Sequence, residues 1–264
     1  MKNVLGRKKN TTNQQWQEVF QDIKKYISKK EVDEQVKKKV KEIKAETKGK
    51  KCAIAWSGGK DSLVVERLAN MAGIKKGVFA HTEVEYPAFM QWVEENKAQD
   101  IEAINTGHSI EWIKNNPQFL FPKTTALHSR WYGIVQQAAV RKYYHENNLD
   151  MILYGRRRAD GNNVKSTDGK YIYTNGKGVT IYNCIAEWEH ELLLGFLYYY
   201  KIPLPPFYEW ENGFVEGTHS WTARNPIDKQ DSTAWKEIYR IDPNIVLNAA
   251  NHFDSAKQFL KERG

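Results

Sequence analysis

The chain has 264 residues, 41% of them hydrophobic and nine of them tryptophan, which excludes a disordered polymer and suffices for one large domain or two small ones. Only two cysteines occur, Cys52 and Cys184, so a disulfide framework and any four-thiolate metal or iron–sulfur site are excluded. The net charge of +8 is unevenly placed: residues 1–51 hold 16 Lys/Arg against 7 Asp/Glu, and the remainder 24 against 25.

The basic opening "MKNVLGRKKNTTNQQ" lacks the apolar core of a secretory signal, and no apolar run reaches the roughly 18 residues of a membrane span. With so few cysteines, a cytoplasmic location is expected. From Trp16 the apolar residues Val19, Phe20, Ile23, Tyr26 and Ile27 recur at helical spacing, and Val32, Val36, Val40 and Ile43 continue it with lysines on the other side. Gly49 is the expected stop. Residues 1–49 therefore read as a basic helical extension. Its lysines form a solvated face or, alternatively, contact a nucleic acid or protein partner.

From residue 50 the pattern becomes strand and helix in alternation. "CAIAW", "GVFAH", "IEAIN" and "DMILYG" have strand length, and they are separated by "DSLVVERLANMAG", "PAFMQWVEENKAQ" and "WYGIVQQAAVRKYYHENN" with helical character. Alternation of this kind predicts right-handed βαβ units and a parallel sheet covered on both faces, a Rossmann-like α/β fold. Ligands in such sheets sit at the carboxyl ends of the strands. That rule selects Ser57–Ser62, His81–Glu85 and Gly155–Arg158. Further on, "KYIY" and "VTIY" around "TNGKG" predict a β-hairpin within a Gly/Asn/Lys-rich stretch, expected as a mobile flap over the site. The expected division is 1–49 extension, 50–210 nucleotide-binding domain and 211–264 C-terminal helical tail on the same domain.

The stretch "WSGGKDS" stands where an apolar strand turns into a helix. A helix start leaves backbone N–H groups without partners and carries partial positive charge, and glycines let that backbone approach an anion. Gly58 and Gly59 supply the turn, Ser57 and Ser62 the hydroxyls, and Lys60 a cation. Asp61 suits a helix cap or a Mg²⁺ ligand. The spacing is neither a Walker A loop nor a dinucleotide fingerprint.

"AWSGGKDSLV" resembles the PP-loop signature of the adenine nucleotide α-hydrolase superfamily, whose loop wraps nucleotide phosphates. Over roughly residues 50–210 the chain is most similar to the phosphoadenosine phosphosulfate reductase branch. "VFAHTEVEYPAFMQWVEE", "LYGRRRAD" and "YNCIAEWEHELLLGFLYYYKIPLPPFYEW" are similar to its segments, with Trp188 and Pro203 at matching places. The reductases of that branch use a C-terminal cysteine nucleophile. Here Thr218 stands in "EGTHSWTARNP", where relatives carry thiols, and no cysteine follows Cys184. Thiol-based reduction is thus unavailable.

The resemblance implies a PP-loop enzyme that binds ATP with Mg²⁺, cleaves between the α and β phosphates and transfers the adenylyl group to an acceptor. It implies Lys60, Asp61 and Arg157 as catalytic and Asp61 as the metal residue. Ser57, Gly58, Gly59, Ser62, His81, Thr82, Gly155, Arg156 and Arg158 complete the expected nucleotide site. Arg130, Lys123, His219 and Arg224 are weaker candidates. Two other readings are a non-reducing binder or transferase of adenosine phosphosulfates, and an inactive nucleotide-binding module docked through the basic N-terminus.

Overall fold

A computed structural model describes residues 5–6, 11–161, 164, 171–224 and 231–263. Two compact units divide the chain. The first takes the described residues up to Phe79, with Asn96–Ala103 and Val140–Pro205. The second takes Ala80–Glu95, Ile104–Ala139 and the described residues from Pro206.

The expected α/β architecture is present. Helix α1 (Asn13–Gln21) starts in a capping box in which Thr12 and Gln15 bond reciprocally, as do Ser28 and Glu31 at the start of α2 (Lys29–Glu46). The periodicity predicted unbroken helix as far as Ile27. Instead α1 stops at Gln21, Asp22 leaves helical geometry and a 3₁₀ turn covers Ile23–Lys25. Strand β1 (Cys52–Trp56) leads into α3 (Lys60–Ala72), which stops at Gly73 with φ +97°, a left-handed cap.

After them come β2 (Gly77–His81), α4 (Pro87–Asn96), β3 (Ile101–Asn105) and α5 (Ile110–Asn115). The long helix expected from Trp131 begins earlier, as α6 (Thr125–Tyr132), and passes through a π-helical turn at Gly133–Gln137 into α7 (Ala138–Glu146). Thr124 caps it, accepting a bond from the Leu127 N–H. Then come β4 (Met151–Leu153), β5 (Ile172–Thr174), β6 (Thr180–Tyr182) and α8 (His190–Tyr199). The chain ends in α9 (Gly213–Glu216), α10 (Asp231–Ile241), α11 (Pro243–Ala249) and α12 (Asp254–Arg263).

The strands form one six-stranded sheet in the order β3-β2-β1-β4-β6-β5. β1 lies parallel to β2 and to β4, and β4 parallel to β6. β5 pairs antiparallel with β6 as the predicted hairpin. Residues 162–163 and 165–170 of the expected flap lie outside the described residues. The central strands are apolar because helices cover them: Ile54, Met151, Ile152 and Leu153 are fully buried.

In the first unit α2 and α8 pack on α3. Gly195 of α8 sits so close to the N-terminal segment that an added Cβ would meet Ile27 at 2.7 Å and Val32 at 3.0 Å. In the second unit Arg224 is fully buried, bonds to Glu237 at 3.2 Å and lies 5.4 Å from the Trp210 ring centroid. Among the described residues, no helix is long and apolar enough to cross a membrane.

Candidate nucleotide site

The strand-to-helix turn has the form a phosphate loop needs. Gly58 has φ +69°, a conformation that side-chain-bearing residues resist. Gly59 is the N-cap of α3, and no side chain caps that helix start. The loop is closed from within: Ser62 Oγ donates to Gly59 O at 2.9 Å and accepts from the Ser57 N–H at 3.1 Å. Ser57 Oγ lies 3.3 Å from Ser62 Oγ. Ser62 is buried, so its hydroxyl shapes the loop, while Ser57 is half-buried.

Gly155, just beyond β4, presses against this turn. A Cβ there would come 2.8 Å from the Asp61 carbonyl carbon and 3.0 Å from the Ser62 nitrogen. Its role is close backbone approach, which any side chain would block.

Lys60 and Arg157, both expected at the phosphates, have their side chains turned into the interior. Lys60 is 3% exposed, with Nζ 2.6 Å from Asp61 Oδ2, 3.7 Å from Asp160 Oδ1 and 5.4 Å from the Trp16 ring centroid. Arg157 is fully buried and donates to four groups: Asp61 Oδ1 from Nε at 2.6 Å, Trp188 O at 3.1 Å, Asp160 Oδ1 at 3.0 Å and His190 Nδ1 at 3.1 Å. Two carboxylates therefore face two cations in a buried, charge-balanced cluster.

The electrostatics follow from that cluster. Burial works to raise the Asp61 pKa, but the charges of Lys60 and Arg157 and their hydrogen bonds outweigh it and hold the carboxyl well below the usual range. Burial likewise opposes charge on Arg157, and Asp61 and Asp160 overcome it. His190 is pushed down to about 3, first by burial and then by Arg157 and Lys60, so it is neutral. Since Nδ1 accepts from Arg157, the neutral ring carries its proton on Nε2. Trp16 meets this ring edge-on at 4.3 Å, and Leu5 N–H donates to the neighbouring Glu191 at 3.0 Å.

Asp160, His190, Glu191 and Trp16 were not anticipated. The signal available was "WEHE" beside the matching Trp188, since two titratable residues opening an apolar helix require buried partners. A Mg²⁺ ion held by Asp61 does not fit this arrangement. Both its oxygens already accept from cations, Lys60 and Arg157.

Of the other arginines, Arg158 is exposed and pairs with Glu187 at 3.0 Å. Arg156 is half-buried, its guanidinium 4.3 Å from the Tyr154 ring centroid. Cys184 is fully buried and its thiol pushed up to about 12 by burial; Cys52 is half-buried and raised to about 11, again chiefly by burial. Neither forms a thiolate readily.

The remaining candidates belong to the second unit. His81 Nδ1 lies 3.1 Å from Thr82 O. Thr82 is buried, and its hydroxyl donates to Glu85 at 2.7 Å. Burial raises the Glu85 pKa. Glu83 is exposed and accepts from Asn105 at 3.4 Å. Lys123 pairs with Asp231, and Arg130 lies over Phe119 at 5.8 Å.

A parallel sheet opening on a glycine turn that starts an uncapped helix defines a nucleotide-binding α/β protein. The match to the phosphoadenosine phosphosulfate reductase domain over residues 51–217 makes the identification specific: the chain belongs to that family. Among 47 matching chains of solved structures is the phosphoadenylyl-sulfate (PAPS) reductase from Candida auris in its phosphate complex. It is 16% identical, with a TM-score of 0.50 over 69% of this chain and 92% of that one, a likeness of fold. A search of curated proteins found no match.

Proposed function

We propose that this protein is a PP-loop enzyme that binds ATP at the start of α3 and cleaves it between the α and β phosphates. The observation that carries this reading is the uncapped start of α3 behind Gly58 and Gly59, which leaves a backbone cradle for anionic oxygens. In the reaction, an oxyanion of an acceptor attacks the α-phosphorus. A new acceptor oxygen–phosphorus bond forms, the bond to the oxygen bridging the α and β phosphates breaks, and the electron pair leaves with pyrophosphate.

The chain's own contribution is positional and electrostatic. The loop N–H groups hold the phosphates, and Arg156, next in sequence to the Gly155 that presses on the loop, supplies the guanidinium. Lys60, Asp61 and Arg157 act from behind, as positioning residues that fix the loop's shape. Magnesium enters only as the nucleotide's own counter-ion, and no step is assigned to it.

Family membership favours one alternative, an adenosine phosphosulfate in the same cradle, bound but not reduced because neither thiol is available. Titration calorimetry with ATP and with adenosine phosphosulfate separates the two. Tighter binding of ATP supports the proposal, and binding of the sulfonucleotide alone overturns it.

A further inference from the structure

One face of α2 carries a row of cations. Lys30, Lys37, Lys41 and Lys44 are spaced seven, four and three residues apart, which sets them along one side of a helix, with Lys38 beside them. All five are exposed and none forms an ion pair among the described residues; Glu34, also exposed, shares the face between Lys30 and Lys37, and the Lys37 charge acts on Asp33. On the same helix, by contrast, Lys29 is bonded to Asp33 at 2.6 Å and Lys39 to Glu42 at 2.8 Å. Lys48, Lys50 and Lys51, also exposed, extend the run past the helix end. Residues 37–51 hold eight lysines against two glutamates, and Glu42 is further engaged by the Tyr182 hydroxyl at 2.6 Å.

Lys37, Lys41, Lys44 and Lys48 are like charges three and four residues apart, and they repel each other along the C-terminal part of the face. A counter-charge from outside the chain would relieve that repulsion. From Lys30 to Lys44 the row spans about 21 Å at 1.5 Å rise per residue. That distance matches roughly six phosphates along one strand of a duplex, at about 3.4 Å each.

Two other polyanions suit the face less well. A membrane-surface helix buries an apolar face in lipid, but the apolar face of α2 is already spent: Val32, Val36 and Ile43 are buried against the protein. Single-stranded nucleic acid is gripped by base stacking on aromatic side chains, and residues 29–46 contain none.

We propose that the Lys30–Lys44 face of α2, with the lysines that follow it, binds the phosphate backbone of a nucleic-acid duplex without reading its bases. The reading is independent of the reaction proposed above. Lysine ammonium groups act as point charges on phosphates, so the binding depends on salt and not on sequence.

The test is fluorescence anisotropy of the full chain with labelled 20-base-pair DNA and RNA duplexes of unrelated sequence, between 50 and 200 mM salt. With about five phosphates neutralised, log affinity should fall against log salt with a slope of about −4.5. The triple variant Lys37→Gln/Lys41→Gln/Lys44→Gln should bind more than tenfold more weakly at the lowest salt, with a slope shallower by about 2.7. The control variant Lys29→Gln/Lys39→Gln, which removes paired lysines of the same helix, should change binding less than threefold. Circular dichroism melts check that both variants fold. No duplex binding at 50 mM salt, equal binding by the triple variant, or preference for phosphatidylserine vesicles over duplex would overturn the proposal.

Discussion

Asp61 and Arg157 meet at 2.6 Å across 96 positions of sequence, and that ion pair ties the end of β4 to the phosphate loop. Every other bond Arg157 makes also stays inside the protein: to Trp188, Asp160 and His190. The guanidinium is fully used within the protein and has no exposed surface, so it braces the loop from inside.

Removing one member of a buried ion pair strands the other, at a cost of about 3–5 kcal/mol. Arg157→Ala is therefore expected to lower the urea midpoint sharply. Arg157→Lys should recover little, because a single ammonium cannot replace a fork that serves four acceptors. Arg156→Ala should cost less stability than Arg157→Ala, since it loses a half-buried contact with the Tyr154 ring and not a buried ion pair, while weakening nucleotide binding. Denaturation and calorimetry on the three variants separate internal brace from nucleotide contact.

Gly155→Ala probes the same junction without touching charge. Its Cβ has no room against the Asp61 and Ser62 backbone, so the loop must shift. A stability loss of about 1–3 kcal/mol and a clear loss of nucleotide affinity are expected. An unchanged binding isotherm would show that the loop's position does not matter.

His190 sets a pH dependence whose sign is fixed by its depressed pKa. The folded protein holds the ring neutral down to about 3, whereas the unfolded chain protonates it near the ordinary value of about 6.5. The contribution is thus fully present above pH 6.5 and is lost as pH falls toward 3, with a slope of about 1.4 kcal/mol per pH unit. His190→Gln should flatten the melting temperature against pH in that window relative to wild type. Parallel curves for the two proteins would contradict the assignment.

The thiols offer a simpler check. Burial raises both, so at pH 7 the native protein should react slowly with a thiol reagent, and Cys184 not at all until unfolding. The variant Cys52→Ser/Cys184→Ala should keep whatever turnover the wild type has. Loss of turnover without loss of fold would restore a thiol to the chemistry.

Much of this was legible in the sequence, for identifiable reasons. The strands β1, β2 and β4 announced themselves as short apolar runs between helical periods, β3 by its length and place in the alternation, and the hairpin β5–β6 through its glycine turn. Gly58 and Gly59 marked the loop because paired glycines at a strand-to-helix turn signal a close backbone approach, and Gly58 takes the positive φ. What sequence could not supply was side-chain direction. "KDS" reads as a cation beside a phosphate until Asp160 and Trp16, contributed from distant segments, draw Lys60 inward. The helix break at Asp22 was hidden for a similar reason, since Ile23 and Ile27 keep their helical spacing even as a 3₁₀ turn resets the backbone between them.

The most direct test of the central claim follows the label of γ-phosphate-labelled ATP, incubated with the protein and the small-molecule fraction of a cell extract as acceptor source. Cleavage between the α and β phosphates predicts label in pyrophosphate, abolished by Gly58→Val at the loop. Label appearing in orthophosphate, or pyrophosphate formed equally well by the Gly58→Val variant, would contradict it.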